Sequence, residues 1–142
     1  MNPILGAGLS IGVLCAIWTF VMGFTGWYKD PVMLRAFFLV IPIEILGLIW
    51  GLRRTAAEGR TYRGQIVAGT LMAVVAGVII ICASLIFTTV AFPDYLSDIE
   101  PTATPMGQAL GGFMGTLVTG ILASAVIAIW VRSKAVPPGA PA

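Results

Sequence analysis

Glu44 is the only charged side chain deep inside any of the four long apolar stretches of this 142-residue chain. It precedes Arg53 by nine residues. On a helix it would therefore lie roughly 13 Å from the arginines, near the middle of a hydrocarbon layer about 30 Å thick. A bare carboxylate at that depth costs on the order of several kcal/mol, so it must be protonated or hydrogen-bonded inward. Two chemistries follow. As a functional site, Glu44 takes up a proton or cation, aided by Pro42, whose missing N–H frees the carbonyl of Phe38. As a structural group, it is neutral and donates to a backbone carbonyl or to Thr19, Thr70, Ser84, Thr116 or Thr119. A transport path normally needs a second polar group, and no Asp, Asn, His, Lys or Arg stands near that depth.

The rest of the chain offers little reactive apparatus. Histidine is absent, which removes the commonest metal ligand and the commonest general base at neutral pH. A bound pigment could not be ligated through histidine. Cys15 and Cys82 are too few for a disulfide framework and are expected to be small buried hydrophobes. No serine–histidine, cysteine–histidine, paired-aspartate or zinc-ligand spacing occurs. Gly111-Gly112 opens an apolar helix and follows no strand, so it is not a phosphate loop. The expectation is a protein that is not an enzyme, with no catalytic, cofactor-binding or metal residues and no nucleic-acid partner. Bound lipid is the one small-molecule companion expected.

The elements that must position Glu44 are set by hydropathy. Apolar residues make up 58% of the chain and charged residues 10%, with a mean hydropathy of +1.00; bilayer is the solvent that suits such a composition. Each apolar stretch is about 20 residues or more, enough to cross a membrane as a helix. The expected spans are 4–26, 32–52, 65–92 and 108–131, with prolines at 31, 93, 101 and 105 marking the joints. The N-terminal Met-Asn-Pro-Ile has no basic region and no cleavage site, so the first stretch is read as a retained span. The fold class expected is all-α: an integral membrane four-helix bundle over residues 1–132, made of two consecutive hairpins. Residues 133–142 form an expected disordered cytoplasmic tail.

Charge sets the orientation. Arg53, Arg54, Arg60, Arg63, Arg132 and Lys134 fall on one side, against Lys29 and Arg35 on the other. The positive-inside rule then puts both termini in the cytoplasm. Arg53, Arg54, Arg60 and Arg63 are candidate contacts for anionic lipid head groups. Trp50, Tyr62 and Trp130 mark the cytoplasmic interface, and Trp27, Tyr28, Phe92 and Tyr95 the outer one. Trp18 falls mid-span.

Helices in lipid associate by close backbone approach, which small residues allow. Gly8, Gly12 and Ala16 form one such ridge, and Gly69, Ala73 and Gly77 another. The fourth span has two adjacent rows: Gly112, Thr116, Gly120 and Ser124 beside Gly111, Gly115, Thr119 and Ala123. That width fits two neighbours, or one neighbour and an external partner. The second span is bulky and is expected to face lipid over much of its circumference.

The segments Trp18-Thr-Phe-Val-Met-Gly-Phe-Thr-Gly-Trp-Tyr-Lys-Asp-Pro31 and Trp50-Gly-Leu-Arg-Arg-Thr-Ala-Ala-Glu-Gly-Arg-Thr-Tyr62 resemble a bacterial domain-of-unknown-function family of small four-span membrane proteins. Phe87-Thr-Thr-Val-Ala-Phe-Pro93 fits the same pattern. The resemblance implies a four-helix fold in a bacterial inner membrane and no particular activity. The expected role is a non-catalytic accessory transmembrane subunit of a larger complex, respiratory or photosynthetic in type, partnered by lipids and other transmembrane subunits. The alternative is a small proton-coupled transporter or channel using Glu44.

Overall fold

Asn2 starts the first helix by accepting the N–H of Ile4 on Oδ1 at 3.0 Å, and Pro3 takes the position where no N–H is needed. The computed structural model describes the backbone of residues 2–135 and the side chains of residues 2–131. Helix α1 (Pro3–Phe24) ends where the Thr25 hydroxyl turns back to the carbonyl of Val21 and Gly26 adopts φ +69°. Two short 3₁₀ segments follow, Trp27–Lys29 and Met33–Leu39. Asp30 Oδ1 links them by accepting the N–H of Val32 at 2.8 Å.

The second span differs from its expected form. It enters as the 3₁₀ segment Met33–Leu39 and becomes α-helical only at α2 (Val40–Ala57). Pro42 therefore stands in the first turn of α2, where proline is tolerated, and marks a change of helix type rather than a mid-helix kink.

Arg53 and Arg54 also extend α2 beyond the expected end at Leu52, as good helix formers do. Gly59, at φ +77°, turns the chain, and Thr61 Oγ1 accepts the N–H of Gly64 to start α3 (Tyr62–Ile86). The basic loop expected over 53–63 is thus a short link holding Arg60, with Arg53, Arg54 and Arg63 on the helical turns at either side.

Helix α3 runs on into a π turn, Phe87–Ala91, closed by the N–H of Phe92 on the carbonyl of Phe87 at 2.8 Å. A short helix α4 (Tyr95–Ile99) then leads to α5 (Pro105–Ala135), whose first turn is capped by Thr104 Oγ1. Helix α5 takes in the first residues of the expected tail; residues 136–142 lie outside those described.

Among the described residues, four segments are long and apolar enough to cross a membrane: Pro3–Phe24, Met33–Ala57, Tyr62–Ala91 and Pro105–Val131, with mean hydropathies of 2.1, 2.0, 2.7 and 2.1. No strand occurs among the described residues. The chain has the all-helical architecture of a multi-pass membrane protein. Helix α1 packs on α2 and α3, α5 packs on α3 and α2, and α2 also touches α3.

Small residues set those distances. A Cβ at Gly8 would come within 2.8 Å of the Met72 carbonyl oxygen, and one at Gly12 within 2.8 Å of Ile79, so α1 lies close on α3. Gly69, Gly77 and Gly120 meet Ser124, Phe113 and Ala73 in the same way across α3 and α5. The outward faces are apolar, with Phe38, Leu46, Val126 and Ile129 well exposed, as a lipid-facing surface requires.

Two clusters divide the interior. At the end carrying the arginines, Ile11, Leu48, Leu52 and Met72 form a tight aliphatic core. At the opposite, acidic end, Tyr28, Phe87, Tyr95 and Leu96 form an aromatic one. Glu44 lies where the two meet.

Candidate functional site

Glu44 is 4% exposed, and it lines a cavity of about 150 Å³ to which all four spans contribute. Its Oε1 is buried and has no hydrogen-bond partner among the described residues. Gly120 on α5 is what makes room for it: a Cβ there would come within 3.2 Å of Oε1. From this floor the walls rise toward the acidic end. Helix α1 supplies Cys15 and Thr19, α3 supplies Ile80 and Ser84, and α5 supplies Gly112 and Thr116.

The top of the cavity is built by irregular backbone. The π turn brings Phe87 and Thr88 over the cavity, and such single π turns often mark functional sites. Tyr95 from α4 forms the roof, with its ring centroid 4.9 Å from that of Phe87 and 5.1 Å from that of Tyr28. Phe37, from the 3₁₀ segment, completes the aromatic side. Lys29 pairs with Asp98 at 3.3 Å outside this roof and ties α4 to the first connection. The hydrogen bond to Asp98, and then its charge, raises the pKa of Lys29. Burial, with a smaller contribution from Tyr28, raises that of Tyr95.

Two bonds hold the 3₁₀ segment and the head of α2 against α1. The indole N–H of Trp18 donates to the carbonyl of Ala36 at 2.9 Å. The thiol of Cys15 points at the carbonyl of Val40 at 3.9 Å. A tryptophan in mid-span is thereby satisfied by the backbone of a neighbour. The segment packs on α1 and on Trp27–Lys29, and Gln108 and Gly112 on the facing part of α5 are exposed. Those two residues mark the open side of the cavity.

Toward the arginine end the cavity is closed. One and two turns below Glu44 on α2 come Leu48 and Leu52, both fully buried with Met72. Beyond them lies a second polar pair, Thr55 and Gln65, also fully buried, with Thr55 Oγ1 and Gln65 Oε1 2.7 Å apart. Thr55 Oγ1 also lies 3.1 Å from the carbonyl of Leu52. One hydroxyl proton serves one acceptor. Turning the Gln65 amide over lets its NH₂ donate to Thr55 while Thr55 donates to Leu52.

The residues singled out from sequence separate into distinct places. Of the hydroxyls considered for Glu44, Thr19, Ser84 and Thr116 line its cavity, whereas Thr70 and Thr119 bond the carbonyls of Ile66 and Gly115 on their own helices. Gly8, Gly12 and Ala16 fall on α1, with the two glycines against α3. Gly69 and Ala73 on α3 meet Ser124 and Gly120 on α5, Gly77 meets Phe113 and Gly112 meets Ile80, and Thr116 lines the cavity, while a Cβ at Gly111 or Gly115 would meet nothing within 4 Å. Arg54 stacks on Trp50 at 4.1 Å and Arg53 on Trp130 at 5.0 Å. Arg60 pairs with Glu58, and Arg63 is exposed on the first turn of α3. Cys15 is buried, but Cys82 is exposed on the outward face of α3, in line with Val78 and Ile86. Sequence reasoning did not place Phe37, Phe87, Thr88, Tyr95 or Gln108 at a site with Glu44; Tyr95 was read there only as an outer-interface aromatic. The four-residue spacing of Ser84 and Thr88 was the available signal. Among the described residues, no three metal-ligating side chains come together.

Comparison with known protein families, curated proteins and solved structures gives no match.

Proposed function

We propose that this protein is a small transporter of the bacterial inner membrane whose working group is Glu44, loaded with a proton or cation from the acidic end. Both termini and the arginine end face the cytoplasm, following the positive-inside rule, and the spans form two consecutive hairpins. The single observation that carries this reading is that Glu44, whose buried Oε1 has no hydrogen-bond partner among the described residues, lines a cavity of about 150 Å³. A purely structural carboxyl would be expected to spend its hydrogen-bonding capacity on a neighbour, because an unpaired polar atom away from water costs about 1–3 kcal/mol. The second polar group that a path needs is supplied by Thr19, Ser84, Thr116 and Thr88, which rise from Glu44 toward Gln108.

The access is one-sided in this arrangement. Leu48, Leu52 and Met72 bar the way to the cytoplasm, so release inward requires α2 to separate from α3 at that layer. The protein reconstituted into liposomes should dissipate an imposed pH gradient, and the Glu44→Gln variant should not.

A second reading is an accessory transmembrane subunit of a larger complex. It is favoured by Gly111 and Gly115 on α5, where a Cβ would meet nothing within 4 Å. Purification in mild detergent followed by mass spectrometry separates the two readings: a solitary, monodisperse species argues against the subunit role.

A further inference from the structure

We infer that the ligand of the Glu44 cavity is a small organic ammonium ion, its head on Glu44 and its apolar body against Phe37, Phe87 and Tyr95. The inference rests on the transporter reading above and names its substrate class.

Four features converge on that chemistry. The first is the sign of the floor. Glu44 lines the cavity with its carboxyl unpaired at Oε1, and no lysine or arginine is among the described lining residues, so the cavity offers a carboxyl and no counter-ion. A donor bearing positive charge is the complement, and in a low-dielectric site a charge-assisted hydrogen bond is the strong kind.

The second is the state of the hydroxyls. Thr19 Oγ1 donates to the carbonyl of Cys15 at 3.0 Å, and Thr88 Oγ1 donates to the carbonyl of Ser84 at 2.8 Å. With their protons committed to their own helices, these two hydroxyls accept rather than donate, while those of Ser84 and Thr116 can do either.

The third is the aromatic roof. Phe37, Phe87 and Tyr95 give an apolar, π-rich surface at the other end from the carboxyl. Such rings favour a hydrocarbon body and attract a cation passing over their faces. An inorganic cation has no hydrocarbon body to lay against them and would want several oxygens around it.

The fourth is size and approach. A cavity of about 150 Å³ is one that holds a benzene-sized molecule. Its open side, at Gln108 and Gly112, lies close to the start of α5 at the acidic end. An amphipathic amine concentrates at that membrane level, where its head is hydrated and its body is in lipid.

Benzylammonium is the probe, with benzyl alcohol as its neutral analogue of similar shape and benzoate as its opposite charge. Calorimetry on the full chain in lipid nanodiscs should give saturable benzylammonium binding, with benzyl alcohol at least ~10-fold weaker, a difference of about 1.4 kcal/mol, and no benzoate binding. Glu44→Gln should weaken benzylammonium at least ~10-fold and leave benzyl alcohol unchanged, while Glu44→Asp keeps the charge preference. Equal binding of benzylammonium and benzyl alcohol by the native chain, or no benzylammonium binding at all, overturns the inference, and neither result depends on a variant folding. The transporter reading fails separately: proton flux that depends on Glu44 without benzylammonium binding removes only the substrate class, whereas equal flux in native and Glu44→Gln proteins removes the reading beneath it.

Discussion

Gly120 faces Glu44 across the interior with no side chain between them: a Cβ at this glycine would come within 3.2 Å of Glu44 Oε1 and would collide with Ala73. One residue thus sets two things, the spacing of α3 and α5 and the space around the buried acid.

Gly120→Ala should therefore destabilise the fold by about 1–3 kcal/mol, the usual cost of overfilling a packed interior. Gly115→Ala, five residues earlier on the open row, meets nothing within 4 Å and should lose no stability. Unfolding titrations of the two variants in mixed micelles check the contrast. Equal losses would mean that Gly115 is packed against a neighbour as Gly120 is.

Trp18 and Ala36 supply a second test. The indole N–H bond at 2.9 Å holds the 3₁₀ segment on α1 beside the cavity. Trp18→Phe keeps most of the ring and removes the donor, so the loss should be about 0.6 kcal/mol, the average for side-chain hydrogen bonds between membrane helices, and no more than about 1.7 kcal/mol. A thermal melt of the variant in detergent reads it directly.

Alkaline pH should loosen the acidic end first. Tyr95 has its pKa raised above the ordinary 10.0 by burial, so the folded chain keeps the phenol proton longer than the unfolded chain does. Stability is then complete below pH 10.0 and falls as pH rises through the folded value. Lys29, raised above 10.5 by Asp98, acts in the same direction from a higher starting pH. Its contribution is small, because the pair is exposed. Melting curves taken from neutral pH to beyond pH 10 should steepen their decline there, and Tyr95→Phe should remove most of that decline.

Much of this organisation is legible in the residues. Twenty-residue apolar runs prescribe membrane-length helices, and Glu44 stands out as a charge where solvent is absent. The bounds of α2 and α3 were less legible, since charged residues on helix ends read as loop until Gly59 and Thr61 are recognised as the turn and the cap. The cavity was harder still. Tyr95 reaches it from a connecting segment and Phe87 through a π turn, and neither feature leaves a periodic trace in sequence. Trp18 looked misplaced for the same reason: its partner is a carbonyl, which sequence does not distinguish from any other.

Topology is open to a direct check. In a background with both native cysteines replaced, Ser97→Cys on α4 should react with an impermeant maleimide added outside intact cells. Glu58→Cys, in the link after α2, should react only once the membrane is opened. The reverse pattern would put the cavity mouth in the cytoplasm and turn the proposed direction of loading around.

The account depends most on Glu44 itself, and proton flux in proteoliposomes tests it most directly. With equal amounts of protein and matched orientation, the native chain should collapse a pH gradient at least ~10-fold faster than Glu44→Gln, corresponding to a barrier raised by about 1.4 kcal/mol or more. Equal rates for the two proteins would contradict the account and leave Glu44 as a buried structural carboxyl.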